Sequence, residues 1–367
     1  MTTITEADLK RVEGLSGRQA AHILGVSKTT INDARRYRTG VSASEDIDGP
    51  KWPVIQPAQP VNITVNLKVD QSLDTSSPWK TAVIFPDPQI GYRRFEDGTL
   101  DPYHDEAAME VAMQILAYEA SRFNGVEQVV NLGDFLDLPS QGKYAQEATF
   151  ANTTQLAIDR GHRFLAEQRS VAGDNAKVVL IEGNHDRRLQ NFVELNALSA
   201  FGLRRANLPA SWPVMSLPYL LRLDELAVEY IDSYPAGVHW VADNLRAIHG
   251  DKVRSSGSTA AAYTGALPHI STIFGHTHRL ELQSTTTFDR MGKIRSMAVS
   301  PGCLCRVDGA VPSVRGAIGI DGRPAEVTEN WQQGVAVIKY KDTGEFYVNL
   351  VQIDNGQTVY EGVEFNA

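Results

Sequence analysis

Val129-Val130-Asn131-Leu132-Gly133-Asp134-Phe135-Leu136-Asp137 is the stretch from which the rest of the chain is best read. Its first four residues are mostly apolar and β-branched, the signature of a buried strand. A glycine and an aspartate follow at once, so a carboxylate stands just past the strand's carboxyl end. Open α/β sheets gather their ligands at that edge. The same arrangement recurs. Thr81–Phe85 leads to Asp87 and Gln89, Val178–Ile181 to Asn184, His185 and Asp186, and Thr272–Phe274 to His276 and His278. A fifth signal is Ile248-His249-Gly250-Asp251. Oxygen and imidazole donors converging without a thiolate suit a pair of divalent cations.

In order, Asp87, Gly133-Asp134-Phe135-Leu136-Asp137, Gly183-Asn184-His185-Asp186, His249 and Gly275-His276-Thr277-His278 resemble the motif series of the calcineurin-like metallophosphoesterases, over roughly residues 80 to 305. Four of the nine histidines fall inside this series, which argues against a chance scatter of core histidines. The resemblance implies an α/β fold of two packed β-sheets flanked by helices, the αββα arrangement, with metals at the strand ends. It implies that Asp134 bridges two ions, that Asp87 and His278 complete the first site, and that Asn184, His249 and His276 complete the second. Such ions ionise a water near neutral pH and polarise a phosphoryl oxygen. His185 would protonate the leaving oxygen and Asp186 would hold its tautomer, leaving Asp137 as a partner of a ligand or a turn residue.

Gln89 departs from the pattern, standing where the family usually has histidine. Three readings stay open: weak ligation, action through water, or a site filled only when substrate brings phosphate oxygens. A neutral amide favours Mn²⁺ or Mg²⁺ over Zn²⁺, so the expected cofactor is two divalent ions, Mn²⁺ first, with Mg²⁺, Fe²⁺ or Zn²⁺ as alternatives. Arg187, Arg188 and Arg279 follow metal motifs directly and either bind substrate phosphates or pair with local acids.

Two cysteines, Cys303 and Cys305, read as small core residues on one side of a strand. No apolar run has the length of a membrane span, and the polar start lacks a secretory signal, so the expectation is a cytoplasmic protein. His22, His104, His162 and His239 lie outside the motifs and read as surface or structural residues, and His269 reads as part of the segment that feeds the last strand. Net charge is −9, yet residues 1–40 hold seven Lys or Arg against four acids, leaving −12 on the remainder. A basic module on an acidic body suggests different partners for the two.

Residues 16–36 have the pattern of a helix-turn-helix. Ala20, Ala21 and Leu24 line the inside of a first helix, Gly25 makes the turn, Ser27 caps a second helix, and Ile31 and Ala34 face back. The exposed face then carries Lys28, Thr29, Thr30, Asn32, Arg35 and Arg36, types that reach phosphates and base edges. The segment resembles the DNA-binding helix-turn-helix of small repressors and recombination proteins; a module for protein contact or self-association is the alternative. The expected organisation is a module over 1–40, a Pro-rich linker over 41–79 with an edge strand near Val61–Val69, and a body over 80–367.

Within the body, residues 101–124 predict a crossover helix, and 140–173 and 187–235 read as insertions beside the site. Antiparallel strands are expected from about residue 282, with Asp342-Thr343-Gly344 turning between the last two. Gly133-Asp134-Phe135-Leu136-Asp137-Leu138-Pro139-Ser140 lacks the arginine of protein phosphatases and looks more like repair nucleases and cyclic-nucleotide phosphodiesterases. The basic module favours a DNA nuclease, an analogy shared with phage-encoded nuclease-like members. The alternative is a nucleotide or cyclic-nucleotide hydrolase whose module serves assembly into a homo-oligomer. A DNA-binding regulator with a merely structural metal site is a third class.

Overall fold

The structure is a computed structural model describing residues 4–38, 79–122, 124–142, 146–207, 212–254, 257–290, 292–312 and 329–367. The linker up to residue 78, with its expected strand at Val61–Val69, lies outside the described residues. The chain divides into two compact units, Met1–Leu67 and Lys68–Ala367.

In the first unit, α1 (Glu6–Arg11), α2 (Gly17–Leu24) and α3 (Lys28–Arg38) enclose a small core of Val12, Ala20, Ala21 and Ile31, with Leu24 and Val26 against it. Capping boxes start the first two helices: Thr5 with Asp8, and Ser16 with Gln19. Gly25 ends α2 at φ 63°, where a side chain would be strained, and Ser27 Oγ accepts the Thr30 N–H at 3.1 Å to cap α3.

The second unit opens with β1 (Lys80–Phe85), the hairpin β2 (Tyr92–Arg94) and β3 (Leu100–Pro102), α4 (Glu106–Ser121), β4 (Gln128–Asn131), α5 (Thr154–Ala172) and β5 (Lys177–Ile181). It continues through α6 (Arg187–Asn196), α7 (Leu217–Leu220), β6 (Val228–Ile231), β7 (His239–Ala242), β8 (Leu245–Ile248), α8 (Thr259–Ala266) and β9 (Ser271–Phe274). The chain closes with β10 (Leu280–Asp289), β11 (Gly292–Pro301), β12 (Gln333–Tyr340), β13 (Phe346–Ile353), β14 (Gln357–Tyr360) and β15 (Val363–Asn366).

Two sheets carry the mixed α/β architecture. The first runs β13-β12-β1-β4-β5-β6, with β1, β4, β5 and β6 parallel. The second runs β10-β11-β9-β8-β7, with β8 and β9 parallel. Side chains alternate across each strand, so β1, β4 and β5 serve two cores at once. Ala82, Ile84, Val130 and Val179 pack with Leu245, Ala247 and Ile273 of the second sheet. Val83, Phe85, Val129 and Val178 pack with Val111, Ile115 and Leu116 of α4 and with Phe164 and Leu165 of α5. On the second sheet, Ala260 and Tyr263 of α8 cover Ile248, Phe274 and Ala298. Parallel strands side by side deliver their carboxyl-end loops to one edge, and that edge is where the ligand-type residues meet.

Candidate metal centre

Each candidate residue lies in the loop that follows a strand: Asp87 and Gln89 after β1, Asp134 after β4, Asn184 and His185 after β5, His249 after β8, and His276 and His278 after β9. The backbone there is unusual. Asp87 (φ 36°), Gln89 (φ 45°), Asp134 (φ 44°), His276 (φ 68°) and His278 (φ 56°) all occupy the left-handed region. Each such residue costs about 1–3 kcal/mol, and non-glycine strain of this kind concentrates at functional sites. Close backbone approach adds a second constraint. A Cβ on Gly183 would strike Asp134, and one on Gly275 would strike the Asp87 carboxylate.

The side chains form two clusters sharing one carboxylate. Ligand atoms of Asp87, Asp134 and His278 lie within 4.8 Å of one another, and so do those of Asp134, His249 and His276. Gln89 Nε2 sits 3.2 Å from His278 Nε2, and Asn184 Oδ1 sits 3.0 Å from His249 Nε2. His249 Nδ1–H donates to the Leu132 carbonyl at 2.9 Å, which aims Nε2 at Asn184 Oδ1 and at Asp134 Oδ1, 3.3 Å away. Within this buried group, Asp87 Oδ2 and Gln89 Oε1 have no hydrogen-bond partner among the described residues. A cation satisfies such a set.

Charge tells the same story. Burial disfavours a charged His249, yet Asp134 overrides it and pushes the imidazole up to about 9. Burial also opposes ionisation of Asp134, but His185 and His249 hold its carboxyl well below the usual range. His276, penalised by burial and by the neighbouring His249, falls to about 4. The pocket thus draws positive charge to its centre, and oxygen and imidazole donors in these numbers fit divalent ions of the Mn²⁺ and Mg²⁺ type.

The neighbourhood of His185 corrects one expectation. Asp186 does not face His185. Its carboxylate accepts backbone N–H groups from Phe135, Leu136 (3.0 Å) and Gly183 (2.9 Å), stapling two site loops together. Burial, and then the charge of Asp134, raise it to about 7. Asp137 takes the anticipated place instead, with Oδ1 3.0 Å from His185 Nδ1. Arg188 bonds Asp137 and sets its Nη2 2.9 Å from His185 Nε2. Asp137 thus accepts the Nδ1 proton of His185, and Arg188 stands beside Nε2.

The other candidates divide. Arg187 pairs with Glu194 at 3.3 Å and approaches Glu182 at 3.9 Å, which fits the reading of local ion pairing. Arg279 donates to the Arg254 carbonyl at 2.8 Å. In the first unit Lys28, Thr29 and Asn32 are exposed, whereas Thr30 is half-buried at the α3 cap, its hydroxyl 2.8 Å from Ser27 Oγ. Arg35 does not lie on the open face: its guanidinium donates to the carbonyls of Val12 and Leu15, both at 3.0 Å. The Arg36 side chain lies outside the described residues.

Three neighbours escape a reading of motifs. Tyr234 lies against His249 with ring centroids 5.6 Å apart, and burial, then Asp134, push its hydroxyl up to about 12. Trp331 packs edge-on against His278 at 4.2 Å. Cys305 Sγ lies 3.7 Å from His278 Nδ1. None sits in a recognisable motif, since each is brought in by the fold alone. No protein-family model matches the chain, and a search of curated proteins finds no match either.

Proposed function

We propose that the chain is a metallophosphoesterase of the calcineurin-like kind, with the αββα fold of that family, and that it hydrolyses phosphodiesters in DNA. The carrying observation is the shared carboxylate: Asp134 belongs to both ligand clusters. Asp87, Gln89, His278 and Asp134 would hold one cation, and Asp134, Asn184, His249 and His276 the other. Two divalent ions held there, Mn²⁺ first, activate water and neutralise charge on a phosphoryl group.

The chain's own groups do the rest. Burial of Asp87, Gln89, Asp134, His249 and His278 keeps bulk water from competing with them. Asp137 anchors His185 through Nδ1, so Nε2 is the atom that carries a proton to a leaving oxygen. Arg188 beside Nε2 offers a guanidinium fork for a phosphate oxygen, and its move onto substrate frees Nε2 for that role. Lys28, Thr29 and Asn32 on α3 supply the DNA-facing surface, and Arg35 supports them by fixing α3 to the turn before α2. Two thiols with no disulfide fit a reducing cytoplasm. Among the described residues no helix is long and apolar enough to cross a membrane.

The test offers full-length protein with Mn²⁺ four substrates side by side: labelled single-stranded DNA, duplex DNA, a cyclic nucleotide and an aryl phosphodiester. Mn²⁺-dependent cleavage of DNA and of the aryl ester is expected. Cleavage of the cyclic nucleotide with DNA untouched turns the reading to a cyclic-nucleotide phosphodiesterase. No hydrolysis of any of them removes it.

A further inference from the structure

Cys303 and Cys305 follow β11 in the segment that underlies Asp87 and His278, and both are fully buried. The backbone there is held in place. Cys303 N–H donates to the Gln332 carbonyl at 3.0 Å, Leu304 N–H to the Asp87 carbonyl at 3.2 Å, and Gln333 Nε2 to the Cys305 carbonyl at 2.9 Å. The two thiols and the His278 imidazole bring one donor atom each within 4.8 Å of one another. The edge from Cys305 Sγ to His278 Nδ1 is 3.7 Å. A tetrahedral cation with metal–sulfur bonds of about 2.3 Å and metal–nitrogen bonds of about 2.0 Å spans ligand edges of roughly 3.5–3.8 Å.

The two nitrogens of His278 therefore look at two donor sets of opposite character. Nε2 faces Asp87 Oδ1 at 3.4 Å and Gln89, which are hard donors. Nδ1 faces sulfur. Around the thiols stand Tyr103, Phe150 and Val311, with Val307 and Trp331 partly buried beside them. Such a box penalises any net charge, but two thiolates and one divalent ion cancel. Soft thiolates with an imidazole select Zn²⁺-like ions over Mn²⁺ or Mg²⁺.

We propose that Cys303, Cys305 and Nδ1 of His278 form a binding site for one thiophilic divalent cation of the Zn²⁺ class, distinct from the hard-ligand clusters and joined to them through a single imidazole. Binding breaks two S–H bonds and forms two metal–sulfur bonds. Two protons leave to the buffer, and the imidazole proton passes from Nδ1 to Nε2 when Nε2 carries no cation or leaves as a third when it does. Affinity should then rise up to about a hundredfold per pH unit while both thiols are protonated. The site does not depend on the phosphoesterase reading, because its two thiols and its readout are separate from hydrolysis and only His278 is shared.

The probe is Cd²⁺, titrated into full-length protein stripped with chelator and held in excess Mg²⁺. These are the chain's two cysteines, so any thiolate-to-cadmium charge-transfer absorption reports this site. The expected result is a near-ultraviolet band saturating at one Cd²⁺ per chain, with two protons released where Nε2 is free and three where Mg²⁺ holds it. The band should persist in Asp134→Asn, weaken at least about tenfold in affinity in His278→Gln, and vanish in both Cys303→Ser and Cys305→Ser. Absence of the band in the unaltered protein overturns the proposal. So does saturation at half an equivalent, which means two chains share the ion, or an affinity indifferent to His278→Gln.

Discussion

Asp137, His185 and Arg188 form the most informative group at the scale of single residues, because their contacts separate two neighbouring aspartates. Asp137→Asn should slow hydrolysis of an unactivated phosphodiester about as much as His185→Ala, roughly 10²–10⁴-fold, since an amide no longer fixes the Nδ1 proton. An activated aryl ester, which leaves without protonation, should suffer far less. Asp186→Asn should instead lower thermal stability, because its carboxylate bonds to three backbone N–H groups are disrupted. Equal rate losses for the two asparagine variants, with unchanged melting, would contradict this division. Gln89 allows a second test. Its carbonyl oxygen is buried without a partner among the described residues and its amide lies 3.2 Å from His278 Nε2, so Gln89→His should tighten binding at the first cluster and raise activity at low Mn²⁺. Superimposable Mn²⁺ titrations would remove Gln89 from the ligand set. The motif spacing made Asp87, Asp134, Asn184, His249, His276 and His278 legible as one group. It could not tell Asp137 from Asp186, because which carboxylate meets an imidazole depends on where two loops cross.

At the scale of elements, the strands leading into the site were legible because short β-branched runs end in glycine or a charged ligand. Others were hidden. The helix α5 falls in a stretch that reads as a polar insertion, yet Ala157, Ile158, Gly161, Phe164, Leu165 and Gln168 bury one face at helical spacing. Gly161 breaks the apparent pattern for a packing reason: a Cβ there would meet Leu136 at 2.8 Å and Phe135 at 3.2 Å. Four-residue strands such as β7 and β8 carry too few positions to show a period. The loop glycines offer a test at this scale. Gly275→Ala puts a methyl against the Asp87 carboxylate, so metal affinity should fall at least about tenfold while the fold, judged by circular dichroism, persists. Unchanged Mn²⁺ affinity in that variant would mean that the loop after β9 does not set the position of Asp87.

At the scale of the whole molecule, charge divides the chain: residues 1–40 are net positive within a protein of net charge −9. Composition alone exposed that division, and the helix–turn–helix spacing identified α2 and α3. The short α1 escaped that spacing although Thr5 and Asp8 form its capping box, because a six-residue helix shows too little periodicity. Deleting residues 1–40 should leave aryl phosphodiester hydrolysis intact, since every candidate ligand lies at or beyond Asp87. DNA binding should weaken and its salt dependence become shallower, by roughly 0.9 in log–log slope for each phosphate that the module no longer neutralises. Unchanged affinity and slope would favour assembly as the role of the module and a nucleotide or cyclic-nucleotide substrate for the body.

Electron paramagnetic resonance of the Mn²⁺-loaded protein reads whether one carboxylate, Asp134, holds two cations. Two Mn²⁺ per chain with the signature of an exchange-coupled pair are predicted for the unaltered protein, and that coupling should disappear in Asp134→Asn. A single uncoupled Mn²⁺ per chain, or a coupled pair that survives Asp134→Asn, would mean that Asp134 does not bridge two ions.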